Sequence, residues 1–349
     1  MDQQKRVLVT GSGGYIGAVL LPQLAASGFK TVGLDTQYFD GCDFSSDLSD
    51  KFSTKKKDIR DVTPDDLQGC FAVIHLAALS NDPLGHVNEE TTLSINYHAS
   101  VRLAKAASAA GVERFLFSSS CSMYGTGGED EALAEDAPLR PVTPYAVSKV
   151  RSEEEILGLA SSHFAPVFLR NATAYGVSPR LRTDIVLNNL VGSAYLTGNV
   201  LLMSDGTAWR PLVHVDDICR TFIRMLQAPR ELVDSQAFNV GSTSENYQVR
   251  QLADIVASVV PDSKVTVQKG ATSDKRNYNV DFTKLVRTFG PDLIQWDVRR
   301  GAQQLYSAYD DANLTSGQLE DSFVRLRRIE QLLSDGALDH DFRWTARPS

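Results

Sequence analysis

The chain has little of what would give it a covalent or metallic framework. Four cysteines occur in 349 residues (Cys42, Cys70, Cys121 and Cys219), and none stands at Cys-x-x-Cys spacing. That argues against both a disulfide scaffold and a zinc site. No two of the six histidines have helical metal-ligand spacing, so no metal is expected. Basic charge is short as well: 35 Lys and Arg are interspersed among 43 Asp and Glu, for a net charge of −8. A nucleic-acid surface is therefore not expected, although a local phosphate site remains open. No apolar run would span a bilayer, and no signal-peptide pattern precedes the first strand-like run. The expectation is a reduced, cytoplasmic protein with no membrane association.

What is present is an alternation of short apolar runs and helical patterns. Val7-Leu8-Val9-Thr10 reads as a buried strand. It leads into Gly11-Ser12-Gly13-Gly14-Tyr15-Ile16-Gly17, then a helical pattern through Leu20, Leu21, Leu24 and Ala25. Glycines at 11, 14 and 17 suit a tight turn, close approach to a pyrophosphate, and packing of helix on strand. A second strand, Thr31–Leu34, ends at Asp35, about 20 residues beyond the loop, where an acid meets an adenosine ribose. A carboxylate there accepts from a 2′-hydroxyl and repels a 2′-phosphate, so NAD is expected over NADP. Asp58 and Ile59 follow another strand-like position and would border the adenine.

Phe71 to Ala78 reads as a further strand opening onto a loop from Ser80 to Gly85. Leu76, Ala77 and Ala78 would let a cofactor lie against the backbone. A helix is expected over 91–110, closed by Gly111 and carrying Asn96 and His98. The strand Arg114–Ser118 then runs into Ser118-Ser119-Ser120-Cys121-Ser122. This order indicates a doubly wound parallel α/β sheet, whose ligands bind outside the carboxyl ends of the strands. Gly11, Asp35, Ala77 and Ser120 all fall at such ends.

Tyr145 and Lys149 sit four apart in a segment, 146–159, that reads as a helix, so both project from one face. An ammonium beside a phenol favours the phenolate. Tyr145 is thus a candidate proton shuttle, with Ser120 sharing its proton.

These residues carry a family resemblance. Thr10-Gly11-x-x-Gly14-x-x-Gly17, Asp35, Asp58-Ile59, His75-Leu76-Ala77-Ala78, Ser118-Ser119-Ser120 before Met123-Tyr124-Gly125, and Tyr145-x-x-x-Lys149 fall in order. Together they resemble the extended short-chain dehydrogenase/reductase family, in its nucleotide-sugar epimerase and dehydratase branch. The resemblance covers nearly the whole chain. It implies a Rossmann-type NAD-binding domain over 1–170. Residues 171–349 would form mainly a substrate-binding lobe of mixed α/β structure, with some segments returning to the first domain.

The resemblance also implies roles. Ser120, Tyr145 and Lys149 would be catalytic, Lys149 also bridging the nicotinamide ribose. Gly11, Gly14, Tyr15, Ile16, Gly17, Asp35, Asp58, Ile59, Leu76, Ala77, Ala78, Asn96 and Ser118 would attend the cofactor, Asn96 by supporting the wall. Ser80, Ser122, Thr173, Asn189, Leu190, Arg210, Arg276 and Tyr278 would meet a nucleotide-diphosphate sugar, Arg210 at a phosphate. Phe238–Gly241 would enter the smaller lobe, and 249–260 would be a helix with Leu252, Ile255 and Val259 on one face. A charged amphipathic helix is expected over 315–333. A homodimer through a four-helix bundle, from helices near 91–110 and 145–160, is a further implication.

The chain departs from the family pattern in places. Ala271 stands where many relatives have an arginine, and Thr173 where epimerases commonly have asparagine. Cys121-Ser122 replaces the Asp-Glu pair of the 4,6-dehydratases, which favours 4-epimerisation. Dehydration through a Cys121 thiolate, reduction of a 4-keto sugar, and a non-catalytic NAD-binding regulator remain as alternatives.

Overall fold

A computed structural model describes residues 4–44, 53–80, 87–127, 132–268 and 276–345. Expectations placed on 81–85, Ala271, Asp274 and Lys275 lie outside the described residues.

The apolar runs form strands that can be covered on both faces, and the helical patterns supply the cover. The chain opens with β1 (Arg6–Thr10), α1 (Gly17–Ala26), β2 (Lys30–Asp35), β3 (Thr54–Lys56) and β4 (Ala72–His75). Next come α2 (Glu89–Leu93), α3 (Ser100–Ala109), β5 (Arg114–Ser120), α4 (Pro144–Leu157) and β6 (Ala165–Asn171). Then follow β7 (Thr173–Tyr175), α5 (Val186–Thr197), β8 (Asn199–Leu202), β9 (Trp209–His214) and α6 (Val215–Gln227). The remainder holds β10 (Gln236–Val240), β11 (Asn246–Gln248), α7 (Val249–Val259), β12 (Lys264–Val267), α8 (Val298–Asp311) and α9 (Arg325–Ser334).

Seven strands make one sheet in the order β10-β6-β5-β4-β1-β2-β3, with every pairing parallel. This is the doubly wound, Rossmann-type arrangement. The order reverses between β1 and β4, where Thr10 lies between Leu34 and His75. A crevice therefore opens at the carboxyl ends of these strands. Val7, Leu8, Val9, Val73, Ile74, Phe115 and Leu116 are wholly buried, so the central strands have solvent on neither face. A smaller unit is built from the sheet β11-β9-β7, the pair β12-β8, and α5, α7 and α8. Leu187, Val191, Leu252, Val256, Leu305 and Tyr309 form its core.

Local details differ from expectation. Phe238–Val240, expected at the entry of the smaller lobe, belongs to the edge strand of the large sheet. The helix over 91–110 contains a π-helical stretch, Ser94–Ala99. There the Asn96 carbonyl accepts from both the Ser100 and the Ser152 hydroxyls, an intrusion that accompanies such bulges. In α7 the buried face is Leu252, Ala253 and Val256, with Ile255 and Val259 only half-buried. The expected helix 315–333 is two pieces, a π-helical turn Gln318–Ser322 and then α9. Phe323 breaks it by turning inward against Phe44, while its carbonyl accepts from Thr183 N–H. Among the described residues no helix is long and apolar enough to cross a membrane, and no cluster of His, Cys, Asp and Glu could hold a metal.

Candidate active site

One cavity of about 630 Å³ lies along the carboxyl edge of the large sheet and runs under the smaller unit. At its first end, Gly11 follows β1 with a φ of +71°, and a Cβ there would stand 2.7 Å from Ala77 N. At Gly17 a Cβ would come within 2.3 Å of the Gly11 carbonyl oxygen. Both positions need glycine so that loop, helix and β4 can close on one another. Helix α1 starts with no side-chain cap and no acidic residue in its first turn, so its positive end stays open to an anion.

Asp35 ends β2 with its carboxylate already oriented. Gly13 N–H donates to Oδ2 at 2.9 Å and Gln37 N–H to Oδ1 at 2.6 Å. Burial pushes its carboxyl up from the ordinary value, and these two N–H donors oppose that. Asp58 holds Arg60 in a forked ion pair, with oxygen–nitrogen distances of 2.6 to 3.1 Å.

The proton-handling end lies where β5 meets α4. Thr143 caps α4 through Ala146 N–H, and Pro144 occupies the first turn, so the helix begins at 144 rather than 146. Tyr145 is half-buried and lines the cavity. Lys149, one turn on, is buried and donates through Nζ to the Ser118 carbonyl at 2.7 Å. Nζ lies 5.6 Å from the Tyr145 ring centroid and 4.6 Å from that of Phe117. Burial lowers the Lys149 ammonium to about 7, against an opposing pull from Glu153. Next to it, His75 is held neutral, lowered to about 3 by burial and then by Lys149. Ser120 caps the following 3₁₀ turn, accepting from Ser122 N–H at 3.1 Å and donating to Ser122 Oγ at 2.9 Å.

At the far end Arg210, buried in β9, donates to the carbonyls of Trp209 and Arg276 and lies 5.5 Å from the Tyr278 ring centroid. Thr173, Asn189, Arg276 and Tyr278 line the same stretch. Asn189 is fixed by donation to the Thr183 carbonyl at 3.0 Å.

Residues 7–241 match the NAD dependent epimerase/dehydratase family. The UDP-glucose 4-epimerase of Mycolicibacterium smegmatis is 33% identical over 271 residues, 73% of this chain and 82% of that protein.

The chain belongs to the NAD-dependent epimerase/dehydratase family.

Human dTDP-D-glucose 4,6-dehydratase is a more distant relative, 23% identical over 74% of this chain and 75% of its own. Among solved structures, MoeE5 in complex with UDP-glucuronic acid and NAD is 28% identical. It covers 88% of this chain and 99% of its own, with a TM-score of 0.75. NAD is the cofactor of this family, and the cradle at Gly11 and Gly17, the open α1 terminus and the oriented Asp35 carboxylate fit a dinucleotide.

Of the residues expected at the cofactor, Gly11, Gly14, Tyr15, Ile16, Gly17, Asp35, Asp58, Ile59, Leu76, Ala77, Ala78, Ser118, Tyr145 and Lys149 line the cavity. So do Ser80, Ser120 and Ser122. Three of the expected residues do not themselves line the cavity. Asn96 is behind the wall, its amide clamping Leu79 by exchanging bonds of 2.8 and 3.0 Å with that backbone. Leu190 is in the core of the smaller unit, because it is rotated about a quarter turn from Asn189 on α5. Cys121 is 1% exposed, packs in the core and donates to the Arg170 carbonyl at 3.1 Å. Burial pushes its thiol up, although Arg170 pulls the other way. It is no ready thiolate.

Sequence reasoning missed Arg182, Asp184, Asn171 and Arg325, all of which line the cavity. Arg182 forks onto Asp184 at 2.9 and 3.0 Å and donates to Ser80 Oγ at 2.9 Å. Burial alone would raise the Asp184 carboxyl, but the Arg182 charge and hydrogen bonds, with the Arg325 charge, together outweigh it and hold it below the usual range. The alternating Arg180-x-Arg182-x-Asp184 was a visible signal. Arg325 gave none.

Proposed function

We propose that the protein is an NAD-dependent nucleotide-sugar 4-epimerase. The observation that carries this reading is the character of the wall beyond Ser120. Among the described residues it is made of Ser122, Asn171, Thr173 and Asn189, and the nearby carboxylate, Asp184, is held by Arg182. Hydroxyl and amide groups can bind a sugar, but they are poor bases for the proton at C5. With Cys121 turned into the core, elimination of water has no ready base on this side among the described residues.

Tyr145 takes the proton of the sugar 4-hydroxyl and later returns it, with Ser120 sharing the hydrogen bond. The Lys149 charge favours the phenolate. NAD, when bound, supplies the acceptor and donor of hydride at C4. Gly11, Gly17, Asp35 and Ala77 orient it, and Arg210 with Arg276 anchors the diphosphate of the substrate through forked contacts. Among the described residues the wall that would meet the sugar is one of hydroxyl and amide groups, which suits a ring that must present both faces.

The test is incubation with UDP- and dTDP-hexoses, with products identified by NMR. Interconversion of C4 epimers with no net NADH supports the reading. Loss of water from the sugar would overturn it in favour of dehydration.

A further inference from the structure

Three arginines meet where the loop after β2, the segment 177–185 and α9 converge. Two of them are neutralised: Arg182 by Asp184, and Arg180 by Asp40 at 3.0 Å and Asp43 at 3.1 Å. The third, Arg325, has no ion pair among the described residues, although the Asp184 charge reaches it. It is 3% exposed, lies with its guanidinium 4.1 Å from the Phe39 ring centroid, and donates through Nη2 to the Arg180 carbonyl at 2.9 Å. Its Nη1 is buried with no hydrogen-bond partner among the described residues, yet the side chain lines the cavity. A buried guanidinium without a hydrogen-bonded carboxylate is unfavourable unless an anion completes it. Consistent with that, burial and then the neighbouring Arg182 lower it to about 10.

The place of the cluster indicates which anion. Arg182 bonds Ser80, just beyond β4, and its charge is felt at Tyr15 in the glycine loop and at Tyr145. Arg325 feels the charge of Arg182 and lies over Phe39 from the loop after β2. Both arginines line the cavity that runs from the α1 terminus to the proton relay, the stretch in which a dinucleotide would carry its diphosphate. Helix α9 is itself tied to the β2 loop, with Arg328 donating to the Tyr38 and Asp40 carbonyls at 3.1 Å each.

We propose that Arg325, delivered by the C-terminal helix and backed by Arg182, is a diphosphate-binding residue that latches the cofactor from the side opposite the glycine loop. A hydride carrier that must be regenerated in place within one turnover benefits from such a second grip, since release midway strands the oxidised sugar.

The same diphosphate chemistry occurs in a nucleotide-sugar substrate, so the test uses probes that separate the two. Full-length apoprotein and the Arg325→Met variant are titrated calorimetrically with NAD, ADP, adenosine and UDP. Expected is a loss of about 10- to 100-fold for NAD and for ADP, with adenosine and UDP unchanged. The apo variant should melt no lower than wild type, because the buried charge is gone, while the thermal shift given by NAD shrinks. Undiminished affinity for NAD and ADP overturns the proposal. A loss confined to UDP overturns it too, by assigning the anion to the substrate. Equal losses for adenosine and ADP would show a merely structural role. Should the methionine variant not fold, Arg325→Lys keeps the charge and removes the fork. A loss for ADP relative to adenosine then supports the proposal, and no loss overturns it.

Discussion

Lys149 Nζ donates to the Ser118 carbonyl at 2.7 Å, tying the middle of α4 to the end of β5 directly beneath Tyr145. The bond fixes the ammonium between strand and phenol, at a site dry enough to lower it to about 7.

Its pH consequence has a definite sign. The folded-state value lies below the ordinary lysine value, so between about pH 7 and pH 10 the unfolded chain binds more protons and the Lys149 contribution to stability rises with pH. Below pH 7 the folded protein carries the full cost of the buried charge. Lys149→Met should therefore stabilise the apoprotein most at pH 6, the advantage shrinking by at most about 1.4 kcal/mol per pH unit as pH rises. Denaturant titrations of both proteins from pH 6 to 10 measure this, and a difference that does not vary with pH would contradict it.

Tyr145→Phe removes the proton carrier and leaves the helix and the Lys149 contact in place. Turnover of a nucleotide-sugar substrate should fall by about 10²- to 10⁴-fold while NAD affinity stays within a few-fold. Unchanged turnover in a coupled assay would remove Tyr145 from the mechanism.

Asp35 should set cofactor choice. Its carboxylate is held by the Gly13 and Gln37 N–H groups, so it cannot swing away from a 2′-phosphate without losing both bonds. NAD should bind at least about tenfold more tightly than NADP, and Asp35→Ser should narrow that ratio, mainly by admitting NADP. Competitive titration of the two dinucleotides reads the ratio directly.

Glu153 and Arg170 are both buried and meet at 2.8 Å. Glu153→Gln leaves Arg170 without its counter-charge in a dry site, and a loss of about 3–5 kcal/mol is expected. It also removes the partner that raises Lys149, so the Lys149 value should drop further. Chemical denaturation and NMR of reductively methylated lysine test the two effects separately.

Dimerisation through α3 and α4 is testable by sedimentation at micromolar concentration. The outer faces of these helices carry exposed Arg102, Lys105, Arg151, Glu154 and Leu157, a mixed-charge surface around one apolar residue. A monomer at that concentration would rule the interface out.

The chain by itself determined the features that depend on a few consecutive residues. The glycine loop, Asp35 at a strand end and the Tyr145–Lys149 pair were legible because φ requirements, strand periodicity and the pitch of one helix are local. Once alternating strands and helices are read as a parallel sheet, these pieces must converge at one edge, and they do.

Only the tertiary structure decided which way each neighbouring side chain turns and what distant segments bring. Cys121 adjoins Ser120 in sequence, yet its side chain enters the core toward Arg170 while Ser120 lines the cavity. Successive residues at a strand end face opposite sides, and which side is wet depends on packing. Asn189 and Leu190 divide in the same way around α5. Arg325 reaches the cavity from α9, 145 residues beyond the Arg180 carbonyl it bonds. No local pattern announces such a contact, because it forms only when helix, loop and sheet have closed around the same space.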